Sequence, residues 1–225
     1  MTAKVMVCGG KDQRDIELLV GEGVDGIGLI TEVSQDIPCN LRREEARRLC
    51  ALIPPLVEGV LIVTEDRRDE LFRLVEAVRP QVVQLHGFQS LGLLAGLKEE
   101  MPVKVVKAVH LSADASAPDS PQLARAYLEA GADAILLDSL YQGKVGATGR
   151  TLDWHAARRV REAIWPRPLI LAGGLHAGNV KEAVRTVQPF AVDVLSGVSR
   201  DDRLDPGRVR EFVEAVRGRE SEDRA

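Results

Sequence analysis

Ala134-Ile135-Leu136-Leu137-Asp138 is an apolar run that stops abruptly on a carboxylate. It reads as a buried strand with a charged residue just past its end. In a barrel of parallel strands that position faces the mouth where chemistry occurs. Near the N-terminus, Val5-Met6-Val7 runs into Cys8-Gly9 in the same way. A thiol and a carboxylate at two strand ends make a candidate base and a candidate acid. Each residue alone has a plainer reading, because Cys is a good core residue and Asp often caps a following helix.

Working outward, β-branched runs alternate with helical patterns along the whole chain. Strands are expected at Lys4–Cys8, Asp25–Ile30, Leu56–Val63, Val82–Leu85, Val103–His110, Ala134–Leu137, Leu169–Leu171 and Ala191–Leu195. Between them, apolar residues recur at i, i+3, i+4 and i+7, the stripe of a helix packed on a sheet. Ala46, Leu49, Cys50 and Ile53 form one such stripe, and Cys50 is therefore assigned to the core. Leu71, Leu74, Val75 and Val78 form another, as do Leu123, Ala126, Tyr127 and Ala130. Val180, Ala183, Val184 and Val187 follow, then Val209, Phe212, Val213 and Val216. Eight such units predict an α/β fold, a (βα)8 TIM barrel in one domain spanning residues 1–217, with a polar tail over 218–225. An open doubly wound sheet would want Gly-x-Gly-x-x-Gly after its first strand, and Cys8-Gly-Gly-Lys-Asp is not that. Thr31–Leu41 has no apolar period and follows a strand, so it is expected to loop over the barrel mouth.

A chain of 225 residues with 45% hydrophobic content suits one such barrel. Its net charge of -4 and pI near 5.7 argue against a nucleic-acid partner. No apolar run approaches the ~20 residues of a membrane span, and no signal-peptide pattern opens the chain. Cys8, Cys39 and Cys50 have no metal-type spacing, and a reducing cytoplasm is the simplest expected location. The barrel helices show no clear exposed apolar patch from which an oligomeric state can be read.

Two glycine-bearing turns follow the last two strands, Ala172-Gly173-Gly174-Leu175 and Ser196-Gly197-Val198. Glycines let backbone N–H groups approach an anion without an intervening Cβ. The loops after strands seven and eight are the usual phosphate site of such barrels. The plainer reading is that the glycines only make tight turns. His86 ends strand four, where a substrate contact and a structural role are both open, and His110 ends strand five. His155 and His176, at helix starts, read as surface residues.

These pieces together resemble the phosphoribosylanthranilate isomerase family of tryptophan biosynthesis, from Val7 to about Val198. The matching stretches are Cys8-Gly9, Gln84-Leu85-His86-Gly87, Leu136-Leu137-Asp138, Gly146-Ala147-Thr148-Gly149 and Asp153-Trp154. Ala172-Gly173-Gly174-Leu175 with Asn179-Val180, and Asp193 with Ser196-Gly197-Val198, complete the set. The resemblance implies that Cys8 is the general base and Asp138 the general acid. It implies phosphate binding by Gly173, Gly174, Ser196 and Gly197, with His86 and Asp193 as further substrate contacts. It also implies an Amadori rearrangement of N-(5-phosphoribosyl)anthranilate, which needs two proton transfers and no metal or organic cofactor.

The departures lie at the anthranilate side. Met6 stands where the family has a lysine beside the cysteine. Cys39 falls where an arginine pairs with the anthranilate carboxylate, and Arg42 or Arg43 is a candidate substitute cation. Leu195 and Ser199 also depart from the family pattern. A thiol is mostly protonated at neutral pH and needs positive surroundings to act as a base. Two alternatives stay open on these residues. One is a sister isomerase or epimerase acting on another phosphosugar, and the other is a non-catalytic phospholigand-binding barrel.

Overall fold

A computed structural model describes residues 2–112, 120–141, 144–145 and 152–218. The stretch Gly146–Gly149 and tail residues 219–225 lie outside these. Eight parallel strands form the barrel: β1 (Lys4–Cys8), β2 (Gly26–Ile30), β3 (Glu58–Val63), β4 (Val82–Leu85), β5 (Lys104–Ser112), β6 (Ala134–Tyr141), β7 (Leu169–Leu171) and β8 (Ala191–Val194). They follow one another in order, β5 pairs with β6, and β1 pairs with β8, so the sheet closes. Helices α1 (Gln13–Gly21), α2 (Arg43–Cys50), α3 (Arg68–Val78), α4 (Leu91–Glu100), α5 (Ser120–Glu129), α6 (Trp154–Ala163), α7 (Ala177–Val187) and α8 (Pro206–Arg217) alternate with the strands. The fold is a (βα)8 barrel. Among the described residues no helix is long and apolar enough to cross a membrane.

Strand alternation sorts the side chains into two layers. Val5, Val7, Val83, Leu85, Val105, Val109, Ile135 and Leu137 point outward and meet the helix stripes in one core. Met6, Cys8, Val60, Ile62, Val106, Ala108, Ala134, Leu136, Ile170 and Ala191 fill the barrel interior. Met6 thus packs in the apolar inner layer. The stripe of α5 is rotated slightly from expectation, with Ala124 and Tyr127 buried and Leu123 and Ala126 half-buried. Cys50 is buried on the α2 stripe. Gly218 ends α8 in the left-handed region at φ 66°, where no Cβ opposes the turn.

Two strands run longer than their sequences indicate. β6 continues through Asp138 to Tyr141 instead of ending at Leu137, and β5 continues past His110 to Ser112. Beyond the barrel wall the two strands pair with each other as His110↔Asp138, Leu111↔Ser139 and Ser112↔Leu140. β7 stops at Leu171, opposite Leu137. Asp138 therefore clears the barrel on its β7 side while its backbone is still held by β5. Asp138 is a rim residue inside a strand, and its level in the barrel agrees with the reading of the sequence even though the strand end does not.

Lys107 is a buried cation in the outer layer, with only 1% exposure. Its Nζ donates to the carbonyls of Leu85 (3.1 Å), Gly87 (2.7 Å) and Ala108 (2.8 Å). It also lies 5.1 Å from the Tyr127 ring centroid, and Tyr127 donates its hydroxyl proton to Gln89 O. Burial pushes the lysine down to about 7. Together these bonds pin the turn after β4, which carries His86. Lys107→Met leaves three carbonyls without this donor and is expected to destabilise the fold by about 1–3 kcal/mol. Urea unfolding tests this, and an unchanged midpoint contradicts the role.

Candidate active site

Cys8, the last residue of β1, and Asp193, on β8, both face the interior. Their strands are neighbours, with Met6 opposite Asp193. Cys8 Sγ donates to Asp193 Oδ1 at 2.8 Å. Gly28 on β2 makes room for the thiol, since a Cβ there would sit 2.6 Å from Cys8 Sγ and 2.8 Å from Ile62 Cδ1. Burial, and then the Asp193 charge, push the Cys8 thiol well above its ordinary range. Burial pushes Asp193 up to about 7, against the stabilising bond from Cys8. Among the described residues no cation acts on the cysteine to make a ready-made thiolate, and its partner is a carboxylate instead.

Asp138 lies across the barrel mouth and is 5% exposed. Its Oδ1 accepts from Ser139 N at 2.7 Å, and its Oδ2 is 3.3 Å from His86 Nε2. Gln84 Nε2 is 3.2 Å from His86 Nδ1, while Gln84 Oε1 is buried with no partner among the described residues. With the amide nitrogen toward the ring, His86 presents Nε2–H to the carboxylate. With the amide turned over, His86 Nδ1–H donates to Gln84 and Nε2 accepts a proton from Asp138. Only the second arrangement pairs His86 with a protonated acid. His110 donates through Nε2 to His86 O at 2.8 Å and stacks edge-on against His86 at 5.2 Å. Burial, then the charge of His86, hold His110 down at about 4, so it is neutral at physiological pH. His86, His110 and Asp138 offer ligand atoms within 4.8 Å of one another, which is close enough for a metal ion.

A cavity of about 430 Å³ joins these groups, within the ordinary range for small-molecule sites. Cys8, Asp138, His86 and Asp193 line it together with Gln84, Gly173, Gly174 and Ser196. Its remaining wall includes Val33, Gln35, Asp36 and Ile37 from the loop after β2, which covers the mouth as expected. Gly173 and Gly174 take φ of 82° and 65°, a left-handed pair that glycine adopts without strain. Asn179 fixes this turn, with Nδ2 donating to Gly174 O at 3.0 Å and Oδ1 accepting from His176 N at 2.9 Å. Ser196–Val198 forms a single 3-10 turn against it, where a Cβ on Gly197 would run into the Leu175 carbonyl.

Gly197 and Cys39 are not among the cavity's lining residues. Cys39 is buried, with its Sγ 3.5 Å from where a Cβ of Gly9 would stand. Neither candidate substitute arginine lines the cavity: Arg43 forms a two-pronged pair with Glu32 (2.9 and 2.7 Å), and Arg42 is exposed at the N-cap of α2. Burial pushes the Cys39 thiol up; of the charges around it, Lys11 opposes this while Asp15 and Asp202 add to it. Lys11 Nζ donates to Asp202 O at 2.7 Å. His176 caps α7 by accepting from Gly178 N, and His155 is exposed on α6. Asp153 caps α6 by accepting from His155 N and Ala156 N. The reading of the sequence passed over Gln84 as a tuner of His86, Gly28 as space for the thiol, and Lys11. A glycine in a strand interior is a usable signal of close approach; the other two have none without the fold.

A thiol, two carboxylates and an imidazole around one cavity, with glycine turns after β7 and β8, are the layout of an acid–base isomerase barrel. The family model described as N-(5'phosphoribosyl)anthranilate (PRA) isomerase matches residues 5–215. An N-(5'-phosphoribosyl)anthranilate isomerase of Methanosarcina acetivorans is 36% identical over 95% of this chain and 93% of its own. One from Haloferax volcanii is 40% identical over 95% and 93%. The phosphoribosyl anthranilate isomerase of Thermotoga maritima superposes with a TM-score of 0.82 at 29% identity, covering 96% of this chain and 99% of that one. A structure of such an enzyme in complex with reduced 1-(o-carboxyphenylamino)-1-deoxyribulose 5-phosphate superposes at 0.79, with 28% identity over 96% and 99%. The chain belongs to the N-(5'-phosphoribosyl)anthranilate isomerase family.

The raised value of Asp193 has a consequence for stability. The carboxyl binds a proton more readily folded than unfolded, where its value is about 3.9. The stability this brings is complete below that value and is lost as pH rises through about 7. Asp193→Asn carries no such loss. Its melting temperature relative to wild type is expected to move in the variant's favour between pH 4.5 and pH 8. A difference that stays constant over this range contradicts the assignment.

Proposed function

We propose that this protein catalyses the Amadori rearrangement of N-(5'-phosphoribosyl)anthranilate to the corresponding 1-deoxyribulose 5-phosphate. The observation that carries the reading is that Cys8 and Asp138 open onto one cavity whose wall continues into the glycine turns after β7 and β8. Asp138 donates its proton to the ribose ring oxygen. The bond from that oxygen to C1 breaks and leaves an iminium. Cys8 removes the C2 proton, and the released electron pair forms the C1–C2 double bond and neutralises the nitrogen. The enolamine then tautomerises to the aminoketose. One proton enters the substrate and one leaves it, so the balance closes without a redox partner. His86 holds Asp138 in place through the 3.3 Å contact.

The phosphate is assigned to the Gly173–Gly174 turn and the Ser196–Gly197 turn. Left-handed glycines and the tight packing at Gly197 support this. The anthranilate is assigned to the side formed by Val33, Gln35 and Ile37. Cys39 packs there with Val33 and Ile37, and the Lys11 charge reaches Cys39 although Lys11 does not line the cavity. Lys11 is the assigned partner for its carboxylate. The tryptophan pathway places such an enzyme in the cytoplasm.

Turnover of phosphoribosylanthranilate, followed by loss of its fluorescence, tests the reading, and absence of turnover in the folded protein would sink it. Cys8→Ala and Asp138→Asn should each lower kcat by at least about 100-fold while sparing binding of the reduced product analogue. If either variant keeps its turnover, the assigned pair is wrong. Gly197→Ala should displace its loop and raise the Ki of inorganic phosphate as a competitive inhibitor; an unchanged Ki places the phosphate elsewhere. Lys11→Ala should raise KM about 10-fold with kcat nearly unchanged, as for loss of a charge-assisted bond. An unchanged KM assigns the carboxylate to another group.

A further inference from the structure

Among the described residues, no lysine or arginine lines the cavity around Cys8. The groups that act on the thiol are Asp193, Cys39 and Asp138, and none of them is a cation. The groups that act on Asp193 are Cys8, Asp138, His86 and the backbone N–H of Val194. Among the described residues nothing in this setting stores a thiolate before substrate arrives. What the setting does hold is a proton acceptor, with Asp193 Oδ1 2.8 Å from the sulfur, buried at 7% exposure and fixed on the neighbouring strand.

We propose that Asp193 acts through Cys8, taking the thiol proton as the sulfur takes the C2 proton of the substrate. The base is then the pair and not the cysteine alone. In the resting pair Cys8 is a thiol and Asp193 a carboxylate. As the C2–H bond breaks, its proton moves to sulfur and the S–H proton moves to Asp193 Oδ1. The C2 electron pair passes into the new double bond. The pair gains one proton and Asp138 has lost one, and the two are exchanged before the next turnover. This inference rests on Cys8 being the base of the isomerisation.

The two ways of forming the base differ in pH dependence. The pair fails when Asp193 is protonated, so kcat/KM should fall as pH drops through about 7. A lone cysteine works only as thiolate, and its limb lies above about 8.5, the ordinary thiol value. Asp193→Asn should therefore lower kcat at least about 100-fold at pH 7. Its acid limb should move above about 8.5, and the gap to wild type should narrow at pH 9.5. Asp193→Glu, which restores an acceptor, should bring the limb back toward neutrality. A loss that is uniform across pH, or a limb shared by wild type and Asp193→Asn, overturns the proposal. Asp193→Ser repeats the test if the Asn variant does not fold.

A second measurement needs no substrate. Iodoacetamide alkylation of Cys8 is followed by mass spectrometry in a Cys39→Ser, Cys50→Ser background. Removing the Asp193 charge favours the thiolate, so the alkylation midpoint should shift to lower pH in Asp193→Asn while turnover falls. An unshifted midpoint shows that the two groups are not coupled and overturns the proposal. A shifted midpoint in a protein inactive on phosphoribosylanthranilate upholds the coupling and rejects the substrate.

Discussion

The contact between Cys8 Sγ and Asp193 Oδ1 spans 185 residues of sequence and crosses the seam between β1 and β8. That seam is where the barrel closes. Before closure the first and last strands have no reason to meet, and neither polar group has a partner. After closure both face an apolar interior in which an unpaired thiol and an unpaired carboxylate each carry a desolvation cost. The same interior makes the carboxylate a proton acceptor near neutrality. The chemistry of this site thus depends on completing the fold.

The opposite wall is built on another departure from regularity. β5 and β6 run on past the barrel as a paired ribbon, and this holds Asp138 against His86. Behind them Lys107 ties the carbonyls of the turn after β4 and so fixes His86 from the helix side. His86 in turn touches Gln84 and His110, a neutral ring that donates to its backbone. The cavity between the two walls is largely apolar on the β2 side and turns glycine-rich on the β7–β8 side. One rigid scaffold therefore holds a proton donor and a proton acceptor across the space for one sugar.

Much of the barrel is legible in the sequence because period 2 and period 3.6 are local signals. β1, β4 and β7 fall where apolar runs end, and the stripes of α2, α3 and α8 are buried as their spacing requires. The extension of β5 and β6 is not legible, because it depends on each strand finding the other. Residues 134–141 contain Asp138 and Ser139, polar residues that argue locally for a strand end. Cys8, His86 and the two glycine turns are visible as strand-end residues, and Asp138 as a residue at the rim although its strand runs on past it. The role of Asp193 is not, since an aspartate within Ala191-Val-Asp193-Val194 shows no partner until β1 lies beside it. Cys39 illustrates the converse: its place in the loop is readable, but its burial against Gly9 is a product of packing.

The central claim is that one cavity sets Cys8 and Asp138 on opposite sides of a sugar anchored by its phosphate. A crystal structure of the protein with reduced 1-(o-carboxyphenylamino)-1-deoxyribulose 5-phosphate tests it most directly. The account predicts the phosphate on the backbone amides of Gly173–Gly174 and Ser196–Gly197, C2 facing Cys8 Sγ, and the C4 hydroxyl within hydrogen-bond distance of Asp138. A phosphate bound elsewhere, or a sugar whose C2 turns away from Cys8, would contradict it.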